Sequence, residues 1–144
     1  MVLLAARKSF ARLREEEGQA TVEFALVLPV LVLLVVGIFE FGRAWNAHQV
    51  VTDAAREAAR TAAVASTAVT RDSVKSIVDN ALLRASLDPK RARVQIVGFG
   101  STTGSPVSIQ VEYWYRFDFL KPLMGWVNDQ GHVTLSATSV MRRE

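Results

Sequence analysis

The sequence predicts an α+β protein: one long N-terminal helix that crosses a membrane, then a small domain of one short helix and three antiparallel strands. Three observations carry this. Residues 24–39 contain no charge and are almost all aliphatic or aromatic. Residues 44–69 are alanine-rich and free of Gly and Pro. Beyond residue 90 the apolar pattern changes its period from about four to two, as it does where helix gives way to strand.

The apolar run is slightly short of the roughly 20 residues a spanning helix needs. Adding residues 19–22 and 41–42 supplies the length, so the span is expected over about 22–42. Phe39, Phe41 and Trp45 then form an aromatic belt at one surface. Four cations (Arg7, Lys8, Arg12, Arg14) precede the run, against Arg43 alone just beyond it. That asymmetry predicts a cytoplasmic N-terminus and an extracytoplasmic C-terminal domain. A cleaved secretory signal fits poorly, because the run exceeds the usual core and no small-x-small site closes it.

The alanine-rich segment extends the helix to about residue 68, since alanine has the highest helix propensity. Asp53, Arg56, Glu57 and Arg60 fall on one side as i,i+3 pairs. Ala44, Val51, Ala55, Ala58, Ala62 and Val69 fall on the other. Thr70 or Asp72 caps a second helix, expected over residues 72–87, and Asp88-Pro89 ends it. Strands follow over residues 93–98, 107–119 and 133–141, with turn chemistry at 100–106 and 128–131. The second strand presents Val107, Ile109, Val111, Tyr113, Tyr115, Phe117 and Phe119 on one face. Trp114 points the other way, and partial burial under a loop is expected for it.

Composition excludes several functions. The formal net charge is +3 and scattered, with no basic stripe interleaved with aromatics, so no nucleic acid is expected as a partner. There is no cysteine, which rules out disulfides, thiol catalysis and acylation of a cysteine. His48 and His132 are far apart and lack acids at ligand spacing, so surface or packing roles are expected. No nucleophile elbow, phosphate loop or zinc-helix motif occurs. Neither a catalytic residue, a cofactor, a metal nor a small-molecule substrate is called for. Pro29 inside the helix is read as a tolerated kink, the carbonyl of Ala25 being freed. Glu40 and Arg43, three apart, are read as marking the membrane interface.

One residue asks for a partner. Glu23 stands at the entrance of the apolar run, where an unpaired carboxylate is costly. The stretch Gly18-Gln-Ala-Thr-Val-Glu23-Phe24, running into an apolar helix with Pro29, resembles the processing site of type IV pilin-like proteins. Continued through Gly37-Ile-Phe-Glu-Phe-Gly-Arg43 and Asp53-Ala-Ala-Arg-Glu-Ala-Ala-Arg60, it resembles the TadE-like family of minor pseudopilins of bacterial tight-adherence (Flp) pili. The resemblance is close over residues 18–63 and weak afterwards.

The resemblance implies cleavage by a prepilin peptidase between Gly18 and Gln19, on the cytoplasmic side. It implies a leader of residues 1–18, a long helix over 19–69 and an extracytoplasmic α+β domain over 70–144. It also implies that Glu23, beside Phe24, pairs with the new amine of Gln19 during assembly with other pseudopilins and the pilus machinery. The chain is longer than a major Flp pilin, which favours a minor subunit in the inner membrane. Two other classes stay open on the residues alone. One is a single-span anchored module that binds a partner protein and is never cleaved or assembled. The other is an enzyme with an unrecognised site.

Overall fold

The computed structural model describes residues 2–64, 69–119 and 132–144, with side chains from residue 18 onward. It shows helix α1 (Val2–Ala63), helix α2 (Arg71–Arg84), a single 3-10 turn (Pro89–Arg91) and strands β1 (Ala92–Val97), β2 (Pro106–Tyr115) and β3 (Val133–Arg142). The α+β class and the order of elements are as the sequence predicts. The chain divides into two compact units, Met1–Phe39 and Glu40–Glu144.

In the first unit the described side chains are exposed almost throughout. Leu26 is 77% exposed and Val30 58%. The helix is apolar and long enough to cross a membrane, with none of its most apolar window buried inside the chain.

The second unit holds the core. The three strands form a meander in the order β1-β2-β3, antiparallel throughout. Val94 opposes Val111, and Tyr113 opposes Leu135. Side chains alternate across the central strand, so Val107, Ile109, Val111, Tyr113 and Tyr115 are all buried. They share one cluster with Val74, Val78 and Leu82 of α2 and with Ala47, Val51, Ala54, Ala55, Ala58, Ala59 and Ala62 of α1. Helix α2 and the alanine face of α1 therefore both pack on the sheet. Alanine lets the α1 backbone lie close to the sheet, and the bulk that fills the space comes from the strands. Trp114, on the other face, is partly buried.

Several boundaries differ from the sequence reading, most of all the ends of α1, α2 and β2. Helix α1 ends at Ala63 rather than near residue 68. Val64 N–H folds back to the Thr61 carbonyl, and Glu144 N–H, just past β3, donates to the Ala63 carbonyl at 3.0 Å. A long-range bond thus satisfies one of the end carbonyls a helix leaves free. Helix α2 starts on Thr70, whose hydroxyl accepts from Ser73 N–H while the Ser73 hydroxyl accepts from Thr70 N–H. It ends at Arg84 because Ser86 takes a left-handed φ of 58°. Leu87 N–H then returns to the Leu82 carbonyl and Ser86 N–H to that of Leu83, a Schellman close. Strand β2 stops at Tyr115, short of residue 119. Its last ladder partner is Val133, the first residue of β3, so, among the described residues, 116–119 have no strand to pair with.

The β1–β2 connection depends on Gly98, with φ 78°. A Cβ there would collide with the Pro106 carbonyl. The turn expected at residues 128–131 lies outside the described residues.

Candidate functional site

The residues singled out by sequence lie together near the start of the described side chains of α1. Gly18, Gln19, Glu23 and Phe24 are all helical and exposed. A side chain added at Gly18 would meet nothing within 4 Å. Gln19 Nε2 donates to Glu23 Oε1 at 3.1 Å across one helical turn. The i,i+4 spacing brings these two side chains together, as it does on any α-helix. Phe24 is 59% exposed. The Glu23 carboxylate therefore has an amide donor from its own chain and an open side facing outward.

A second polar constellation, which the sequence did not reveal, lies at the start of the α+β unit. Glu40 is 1% exposed, the one buried polar or charged residue among those described. Its Oε1 accepts from Phe119 N–H at 3.2 Å, seventy-nine positions away. Arg43 Nη1 lies 3.5 Å from the same oxygen and 2.8 Å from Asp118 Oδ2. Glu40 Oε2 and the Tyr115 hydroxyl are buried without a hydrogen-bond partner. The expected Glu40–Arg43 pair is present, but Glu40 does more than pair with Arg43: it holds the segment that leaves β2. The only sequence signal was an acid directly after sixteen uncharged residues.

Charges in this cluster act on one another. The bond to Asp118 raises the Arg43 guanidinium above its ordinary range, helped by Tyr115 and Glu40. Burial pushes the Tyr115 phenol up, opposed by Arg43 and reinforced by Glu40 and Asp118. Tyr113 is likewise raised by burial.

The α+β unit also has a groove of about 600 Å³, with Val50, Ala54, Ile77, Ala81 and Met141 among its lining. The charged residues along it are largely self-paired, Asp53 with Arg56 at 3.7 Å and Glu57 with Arg60 at 2.9 Å. Arg60 holds the Glu57 carboxyl below its ordinary value. No group of His, Asp or Glu able to hold a metal ion occurs among the described residues. His48 stacks against Trp45 with centroids 6.2 Å apart, a packing role.

An exposed apolar helix leading into a small α+β unit suggests a single-pass membrane-anchored protein. Residues 18–60 match the model of the family described as TadE-like protein, the family that the Gly18–Phe24 motif resembles. The matched stretch takes in that motif, the apolar run and most of the alanine face. It suggests a protein associated with the tight-adherence pilus, from a structural rather than an enzymatic family. No curated protein and no solved structure gives a match.

Proposed function

We propose that this chain is a minor pseudopilin of a tight-adherence (Flp-type) pilus, cleaved by a prepilin peptidase after Gly18 and assembled through its N-terminal helix. The observation that carries the reading is the exposed Gly18–Phe24 motif opening an apolar helix, inside the stretch that matches the TadE-like family. A protease must draw out an extended backbone. Glycine lowers helix propensity by about 1 kcal/mol relative to alanine, so Gly18 is where the helix opens most easily. Its missing side chain leaves the peptide bond unobstructed.

Cleavage would turn Gln19 from an amide donor into the bearer of an ammonium group, one turn from Glu23. That cation, from the same chain or a neighbour, would neutralise the carboxylate inside a bundle of apolar helices. The leader cations favour a cytoplasmic N-terminus in the bacterial inner membrane, with the α+β unit outside. Prepilin peptidase, other pseudopilins and the assembly machinery are the expected partners.

Intact mass and N-terminal sequencing of the protein from native membranes test the reading. With the peptidase present, the mature chain should begin at Gln19, and Gly18→Leu should block processing. A retained Met1 would overturn the proposal. Glu23→Val should permit cleavage yet impair recovery with pilus components. Normal recovery and piliation would favour an anchored module that does not assemble.

A further inference from the structure

We infer that the segment leaving β2 is a second contact with the lipid surface, in which Phe119, tethered to α1 by Glu40, lies in the bilayer interface beside Phe41 and Trp45. The inference rests on reading the apolar helix as a membrane anchor, and it concerns the α+β unit rather than the helix.

Glu40 directly follows the uncharged run 24–39, so the hydrocarbon region ends close to it. A helix leaving lipid at this height usually carries amphipathic aromatic rings at the headgroup level. Trp45 provides one on one side, 58% exposed, with the purely apolar ring of Phe41, 67% exposed, stacked 6.3 Å from it. The neighbouring side, at Glu40, is covered by the protein's own β2 exit. Yet the residue brought there is no core residue. Phe119 is 71% exposed while its backbone N–H is fixed on the Glu40 carboxylate.

A large ring held outward next to an aromatic collar completes that collar. Asp118 and Arg43, both more than half exposed, pair at 2.8 Å and tie the same segment to the next turn of the helix. The ion pair suits the polar headgroup layer, where a buried pair would not be needed.

The cysteine-free chain allows one nitroxide label at a time. Labels on Phe119→Cys, Leu33→Cys and Val97→Cys would be compared in the full chain, reconstituted in phosphatidylcholine–phosphatidylglycerol vesicles. Collisions with oxygen, which partitions into lipid, would be measured against collisions with a water-soluble nickel chelate. Leu33 lies in the apolar run. Val97 pairs with Ser108, at the end of the sheet away from Tyr115, and reports water.

The expected oxygen-to-nickel ratio at 119 is several-fold above that at 97, approaching that at 33. A ratio at 119 equal to that at 97, with 33 lipid-like, overturns the inference and leaves the anchor intact. Shielding of 119 from both reagents also overturns it, in favour of a protein contact. A water-like ratio at 33 overturns the anchor reading itself. Adding Glu40→Ala should drop the ratio at 119 to that at 97, whereas Glu40→Gln, which keeps an acceptor oxygen, should preserve it. An unchanged ratio with Glu40→Ala, in a chain whose aromatic circular dichroism is native, would show that Glu40 is not the tether.

Discussion

Helix α1 contains two stretches that are both apolar and are treated in opposite ways. Over residues 24–39 the side chains are large (Phe, Leu, Val and Ile), and most are exposed. Over residues 47–63 the apolar residues are nearly all alanine, and most of them are buried almost completely. Hydrophobicity alone would assign the first stretch to the core. Size and surroundings decide otherwise. Large side chains arranged all round a helix and left exposed are what a lipid-facing segment requires. A one-sided stripe of methyl groups lets the α1 backbone approach a sheet that brings its own bulk from Ile109, Tyr113 and Tyr115.

The same charged substitution should therefore break different things in the two stretches. Ala58 is 0% exposed. Ala58→Asp buries an unpaired carboxylate, costs several kcal/mol, and should abolish the aromatic circular dichroism of the α+β unit in detergent. Leu33→Asp should leave that signal native and weaken membrane integration by about 3 kcal/mol, read as loss of carbonate-resistant protein. A native spectrum for Ala58→Asp would mean that the alanine face is not a core surface.

Changing size without charge sharpens the contrast. Ala58→Leu should lower the stability of the α+β unit by about 1–3 kcal/mol through overpacking, measured by denaturant titration. Leu31→Ala, the reverse change in an exposed position, should leave that titration where it was.

A smaller effect tests the edge of the core near Glu40. The Tyr115 hydroxyl is buried without a partner, so Tyr115→Phe should stabilise by roughly 1 kcal/mol. Burial raises the folded-state pKa of Tyr113 and Tyr115 above the ordinary value of 10.0. Their contribution is thus complete below pH 10.0 and is lost as pH rises through the folded values, because the unfolded chain ionises first. The alkaline fall in melting temperature should be shallower in Tyr115→Phe. Smallest of all, Ser86→Gly relieves a left-handed residue at the close of α2 and should add about 0.5–1 kcal/mol. No gain would mean that Ser86 is held by more than its backbone.

How legible each feature was follows from how local its cause is. Thr70 starts α2 through contacts within four residues, and the sequence narrowed the cap to Thr70 or Asp72. The strand faces were readable because a period of two needs no knowledge of partners. The end of β2 was not: Phe117 and Phe119 keep the alternation, but only the tertiary structure shows that β3 begins opposite Tyr115 and that Phe119 N–H bonds to Glu40 instead. The end of α2 lies outside local reading because a serine, not a glycine, takes the left-handed position.

By itself the sequence determined the apolar run and the α+β class, which arise from periodicity and charge placement within a few residues; the motif Gly18–Gln19–Glu23–Phe24 stood out through the family it resembles. Only the tertiary structure decided that Glu40 is buried and holds Phe119 N–H, that Glu144 closes the end of α1 at Ala63, and that α1 and α2 together cover the sheet. These rest on contacts between residues far apart in the chain, whose partners are selected by packing and by the need to satisfy buried polar groups. No local pattern encodes that choice.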